Sequence, residues 1–181
     1  MGSQFRKLNR PAFYDHLWNF LARIWYRRYF REVFFEARSL LYRYHSKIEL
    51  RPGVYIKRNA IIGCATESAV LRVGERTTVG FNTIIIASER IIIGSDCMIA
   101  PNVYIVDSNH GTQHGQYFAE QDNVNGQVNI DSNCWIGAGA TILAGVSVCS
   151  DVVIAAGSVV TTSISVPGTY AGVPARLISH G

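Results

Sequence analysis

The chain of 181 residues has no apolar run of the roughly 18 residues that a transmembrane helix needs. A helical membrane span is therefore not expected. Its four cysteines, at 64, 97, 134 and 149, include no CxxC pair. That argues against a disulfide framework or a cysteine zinc site and for a reducing compartment. Charged residues are only 17% of the chain and apolar ones 48%, a balance that excludes a disordered polyelectrolyte and favours a packed domain. A signal-peptide pattern is also missing, because arginines interrupt the aromatic N-terminal region throughout. The myristoylation pattern fails at Arg6, where Ser or Thr would be needed. Together these absences imply a cytoplasmic protein.

The charge is uneven. Residues 1–47 hold ten Lys and Arg against Asp15, Glu32 and Glu36, whereas the remainder holds seven against ten acids. The basic arm, residues 1–50, reads as an aromatic amphipathic helical segment, with one helix or two broken helices over 12–45. Tyr14, Leu17, Trp18, Leu21 and Trp25 form one apolar stripe, and Phe30, Val33, Ala37, Leu40, Leu41 and Tyr44 a second. Arg23, Arg27 and Arg31 share another face. Such a segment either lies on an anionic membrane surface, here the inner face of the cytoplasmic membrane, or packs on the end of the next domain. No nucleic-acid motif accompanies it, so no nucleic-acid partner is expected.

From residue 51 to 166 a different pattern governs. Ile130, Ile136, Ile142, Val148, Ile154 and Val160 recur every six residues, as do Ile93, Ile99 and Ile105, and Val73, Val79 and Ile85. Four places after these aliphatics stand compact residues, among them Thr77, Thr83, Cys97, Val103, Cys134, Ala140, Val146, Val152 and Ser158. Neither a helix nor a half-buried strand has a period of six. A short strand plus a tight corner does, repeated as a parallel β-helix whose coils bury aliphatics only against their neighbours. The fold expected is all-β, a hexapeptide-repeat solenoid. Residues 167–181 read as a C-terminal tail.

The repeat breaks once. The aliphatic column stops at Ile105 and resumes at Val128, and a polar loop over about 107–128 is expected to be extruded. His110 stands at its root, where a rigid coil can hold a general base. Asp107, three residues earlier, either orients the His110 ring or shapes the turn. His114 lies further into the loop. No third ligand stands at a metal-binding spacing, so no metal is expected.

At this point the residues resemble a known family. The units Ile99-Ala100-Pro101-Asn102-Val103, Cys134-Trp135-Ile136-Gly137-Ala138-Gly139-Ala140, Ala156-Gly157-Ser158-Val159-Val160-Thr161 and Ala171-Gly172-Val173-Pro174-Ala175-Arg176 resemble the hexapeptide-repeat acyltransferases. The likeness is to the galactoside and maltose O-acetyltransferase type, and within it to enzymes of bacterial surface polysaccharides such as capsule, O-antigen and colanic acid. The resemblance implies a left-handed parallel β-helix, a homotrimer, acetyl-CoA as donor, and active sites between adjacent subunits. It implies that His110 is the catalytic base and that Asn82 holds the acceptor. It implies an oxyanion-binding N–H at Ala138. Trp135, Ala138, Ala156, Thr161, Thr162 and Arg176 match places beside the channel or along the coenzyme A groove. The family often has Lys where this chain has Thr162. The basic, aromatic arm also departs from the galactoside enzymes, and favours a lipid-linked or polymeric acceptor over a free sugar.

The function expected is acetyl transfer to a hydroxyl of a surface-polysaccharide sugar or its lipid-linked precursor. The alternative is N-acetylation of an amino sugar nucleotide. A non-catalytic assembly subunit fits less well with His110 and Asn82 in place, and a gamma-type carbonic anhydrase would need three metal-binding histidines.

Overall fold

The computed structural model describes residues 24, 30, 32–36, 38–42 and 47–180. The six-residue units become short strands that wind around a three-sided prism, and each coil hydrogen-bonds in parallel to the next. The first face carries Phe34–Phe35, Tyr55–Ile56, Thr78–Val79, Met98–Ile99, Trp135–Ile136, Val152–Ile154 and Gly168–Ala171, closed by Arg176–Ser179. The second carries Leu40–Tyr42, Ile61–Cys64, Ile84–Ala87, Tyr104–Val106, Thr141–Ile142 and Val159–Val160. The third carries Ile48–Leu50, Val70–Val73, Arg90–Ile93, Val128–Ile130 and Ser147–Val148. We call the edge between first and second faces the first corner, that between second and third the second, and that between third and first the third.

Parallel register stacks like on like. One interior column runs Ile56, Val79, Ile99, Ile136, Ile154. Another runs Ile62, Ile85, Ile105, Ile142, Val160, and a third Leu50, Val73, Ile93, Ile130, Val148. All are buried, as are the compact residues four places on. Burying one such aliphatic contributes about 1.5–3 kcal/mol, so the columns hold the prism together. Polar fillers are satisfied: the Thr77 hydroxyl donates to the Gly94 carbonyl and accepts from Cys97 N–H, and Thr83 does the same with Ala100 and Val103. Cys64, Cys97 and Cys134 are buried fillers too, and burial pushes the Cys64 thiol up to about 11.

Corners use a left-handed residue, and the sequence supplies Asn, Asp or Gly at most of them. Arg38, Asn59, Asn82, Asn102, Gly139 and Gly157 have positive φ at the first corner, and Glu32, Gly53, Arg76, Asp96, Asn133 and Asp151 at the third.

Two boundaries differ from the sequence reading. Most of the helix expected over 12–45 falls outside the described residues, but Phe34–Phe35 and Leu40–Tyr42 are strands. Val33, Leu41, Ile48 and Leu50 are buried in the core, so the first coil begins before residue 51. Phe35 and Leu41 stand six apart and pair with Ile56 and Ile62. The apolar density around them also fits a helical stripe, which hid that period. Residues 167–181 likewise do more than trail. Gly168–Ala171 adds to the first face beside Val152–Ile154, and Arg176–Ser179 folds back antiparallel to close its edge. No helix among the described residues is long and apolar enough to cross a membrane.

Candidate functional site

The second corner is where the coil opens. Ser108–His110 pairs antiparallel with Asn123–Asn125, so the break in the repeat is a β-hairpin with a 3₁₀ turn at Phe118–Glu120. Gln121 braces it inside: its amide oxygen accepts Gln113 N–H at 2.8 Å, and its amide nitrogen donates to the Gln113 and Gln116 carbonyls. His110 is exposed and stands opposite Asn123 near the hairpin's base, and His114 is exposed beyond it.

Asp107 does not hydrogen-bond His110 among the described residues. It is fully buried, and its carboxylate accepts three backbone N–H groups of the preceding coil, from Ser88 at 2.6 Å, Glu89 at 2.8 Å and Arg90 at 2.6 Å. Its own carbonyl accepts Gly126 N–H at 2.8 Å and closes the hairpin neck. Of the two expectations for Asp107, turn shaping is the one that these contacts carry. A carboxylate already bound by three donors is committed to the coil below.

The first corner is a single strip running up the prism. In the last two coils it is nearly bare, Gly137-Ala138-Gly139-Ala140 and Ala155-Ala156-Gly157-Ser158. Ala138 and Ala156 are exposed, and their N–H groups have no acceptor among the described residues. Next comes an amide ladder. Asn59 Nδ2 donates to Asn82 Oδ1 at 3.1 Å, and Asn82 Nδ2 to Asn102 Oδ1 at 3.3 Å. A strip with bare backbone, free N–H donors and side-chain amides can bind an elongated polar molecule and hold a carbonyl oxygen.

The remaining candidates divide between these regions. Trp135 is half-exposed on the first face, in register with Met98 and Val153. Thr161 and Thr162 follow Val159–Val160 toward the second corner. Ala175 N–H bonds the Val159 carbonyl at 2.8 Å, which sets Arg176 beside the same strand. Arg176 therefore lies beside the strand that Ala156 precedes and Thr161 follows. Asn82 and His110 do not meet: they occupy different corners, and no hydrogen bond joins them. The chain by itself does not assemble base and acceptor amide. Sequence reasoning missed Asn59 and Asn102 as partners of Asn82. The signal was there, since each precedes a compact residue in the same corner position.

Residues 70–106 and 127–162 match the family model described as the hexapeptide repeat of succinyl-transferase. Both stretches carry the hexapeptide repeat, and the chain is similar to the hexapeptide-repeat acyltransferases. Among its relatives, galactoside O-acetyltransferase of Escherichia coli K12 is 32% identical over 108 residues, covering 60% of this chain and 53% of that protein. WbbJ of the same organism, provisionally named a lipopolysaccharide biosynthesis O-acetyl transferase, is 35% identical over 98 residues, covering 50% of each. The chain thus spans about half the length of these curated relatives. Among solved structures, a variant of AntD, an N-acyltransferase from Bacillus cereus in complex with a dTDP-amino sugar and coenzyme A, superposes with a TM-score of 0.73 at 18% identity, covering 88% of each chain. That likeness shows the fold, the left-handed parallel β-helix of the hexapeptide-repeat family.

Proposed function

We propose that this hexapeptide-repeat protein transfers an acetyl group from acetyl-CoA to a hydroxyl of a surface-polysaccharide sugar or its lipid-linked precursor. The observation that carries this reading is the first corner, where two coils of bare backbone with free N–H groups at Ala138 and Ala156 continue into the amides of Asn102 and Asn82. The pantetheine arm and thioester of the donor suit the bare part, and the acceptor sugar suits the amides. His110 takes the hydroxyl proton as that oxygen attacks the thioester carbon. Ala138 N–H meets the developing oxyanion, a donor type worth about 3 kcal/mol in such sites. The carbon–sulfur bond then breaks and the coenzyme A thiolate leaves, with the proton held on His110 available to it. No acyl-enzyme is needed.

Because His110 and Asn82 stand at different corners, the working site joins the hairpin of one copy to the first corner of the next, in a homotrimer. Apolar outward residues on the first and second faces, Met98, Trp135, Leu40 and Tyr104, support packing between copies, while the third face carries the exposed Arg72–Glu49 ion pair. Of the arm read over 12–45, the part ahead of the strands Phe34–Phe35 and Leu40–Tyr42, residues 12–31, brings this assembly to an anionic membrane surface. Arg23, Arg27 and Arg31 lie outside the described residues, so vesicle co-sedimentation with and without residues 1–31 tests that part.

Likeness to AntD favours a second reading, N-acylation of a nucleotide-linked amino sugar. Coenzyme A release measured against neutral sugars, amino sugar nucleotides and purified polysaccharide separates the two. Turnover with hydroxyl acceptors supports O-transfer, turnover confined to amino sugars supports N-transfer, and none with either contradicts both.

A further inference from the structure

We infer that the N-terminal end of the first corner is a subsite for a negatively charged group on the acceptor sugar, with Lys57 as its cation. The inference rests on the acyl-transfer reading for calling the bound sugar an acceptor. The physical argument begins with how Lys57 is held. Its Nζ lies 5.0 Å from the centroid of the Phe81 ring and 5.9 Å from that of Tyr55. Phe81 adjoins Asn82, and Asn59, two residues from Lys57, donates to the Asn82 amide. The ammonium is thus fixed by ring faces next to the amide ladder.

Lys57 also has an anion within electrostatic reach, the Glu36 carboxylate, without bonding it. Among the described residues it makes no ion pair. The carboxylate near it, Glu36, is engaged elsewhere: Oε1 accepts the Tyr55 hydroxyl at 2.6 Å and Oε2 accepts Arg58 N–H at 3.1 Å. The Tyr55 hydrogen bond, with help from Arg58 N–H and the nearby cations, holds the Glu36 carboxyl below its usual range, so it stays charged and keeps those donors. The third corner handles its cation in the opposite way, with Arg76 forked onto Asp96 at 2.6 and 2.7 Å. Arg58 and Arg38, both exposed at this end of the first corner, add further positive charge without an ion pair among the described residues.

The ligand chemistry follows. The partly exposed Phe81 ring offers a flat apolar face to the C–H face of a pyranose. The Asn59 and Asn82 amides offer polar contacts to hydroxyls. Lys57 offers a pre-placed cation, so little side-chain entropy is lost on binding an anion. The anion is a carboxylate on an acidic sugar or a phosphate on a glycosyl phosphate, and both share this recognition.

The test titrates the full chain at low salt with glucuronate, glucose 1-phosphate and glucose, following ligand NMR signals, for the wild type, Lys57→Gln and Lys57→Arg. At least one anionic sugar should bind about threefold to fivefold more tightly than glucose, the range of a partly exposed charge contact. Lys57→Gln should erase that preference, Lys57→Arg should keep most of it, and added salt should weaken it. Preference for glucuronate or for glucose 1-phosphate identifies the carboxylate or the phosphate. Equal binding of charged and neutral sugars, no binding of either anion, or a preference that survives in Lys57→Gln overturns the inference. A Lys57-dependent preference without acetylation of any acceptor leaves the subsite standing and counts against acyl transfer alone.

Discussion

The first and third corners of the prism share one backbone and differ in what hangs from it. Both turn on a left-handed residue in every coil, and both pass a backbone hydrogen bond from coil to coil, as in Asn102 N–H to Phe81 carbonyl and Asp96 N–H to Glu75 carbonyl. Both accept proline at the same place in the turn, Pro101 at the first and Pro52 at the third. The third corner is closed on itself by Arg76 with Asp96 and by Asn133 with Asp151 at 2.5 Å. The first is linked only by the neutral Asn59–Asn82–Asn102 amides among the described residues, and is bare at Ala138 and Ala156 and cationic at Lys57. Equal geometry with unequal side chains means that the fold did not dictate the first corner's residues. We take that freedom as the mark of a binding strip.

The largest expected effect lies off both corners. His110→Ala should lower turnover by about 10²–10⁴-fold, the usual cost of a lost general base, with the melting temperature unchanged because the side chain is exposed. A variant retaining more than roughly a tenth of wild-type turnover, well outside that range, would remove His110 from the mechanism.

Proline substitution sharpens the comparison next. Ala138→Pro deletes one N–H donor from a position whose counterpart in the coil before is Pro101, so the turn should persist. Turnover should fall about 10²–10³-fold. Ser132→Pro makes the same change at the third corner, where Pro52 is the precedent, and should leave turnover within about twofold, as it touches no proposed ligand contact. Its Oγ hydrogen bond from Ser95 N–H is lost, at about 1 kcal/mol of stability. Steady-state rates and thermal melts on both variants check this. Equal loss of rate would show that the two corners are alike.

Smaller still is a glycine pair. Asn82→Gly and Asp96→Gly both keep a residue that accepts positive φ, so each should fold. Asn82→Gly should raise acceptor KM about fivefold to tenfold through a lost hydrogen bond. Asp96→Gly should lose only the exposed pair with Arg76, worth at most about 1 kcal/mol of stability, with KM unchanged. Acceptor titrations at saturating donor, beside melts, read both.

Much of this is legible in the order of residues. The period of six places Ile99, Ile136 and Ile154 in one column because parallel coils repeat their register, and neither a helix nor a flat strand buries an aliphatic at that spacing. The break after Ile105 places His110 at a projecting element for the same reason. Asp107 is less legible, because its partners are backbone N–H groups of Ser88, Glu89 and Arg90, which leave no side-chain signature. The first coil is hidden because Leu41 also falls on the helical stripe with Val33, Ala37 and Tyr44, while its six-residue partner Phe35 lies off that stripe. Lys57 escapes notice because its meaning depends on Phe81, a neighbour one coil away, and on the engagement of Glu36 by Tyr55.

The central claim is that the reacting site joins the second-corner hairpin of one copy to the first corner of another. Mixing tests it most directly. His110→Ala and Ala138→Pro chains, each nearly inactive alone, are co-expressed in equal amounts and purified as one assembly. In a closed ring of randomly mixed copies, about one boundary in four sets an intact His110 against an intact Ala138. The account predicts recovery to about a quarter of wild-type turnover by that count. A mixed assembly no more active than either variant alone would contradict it.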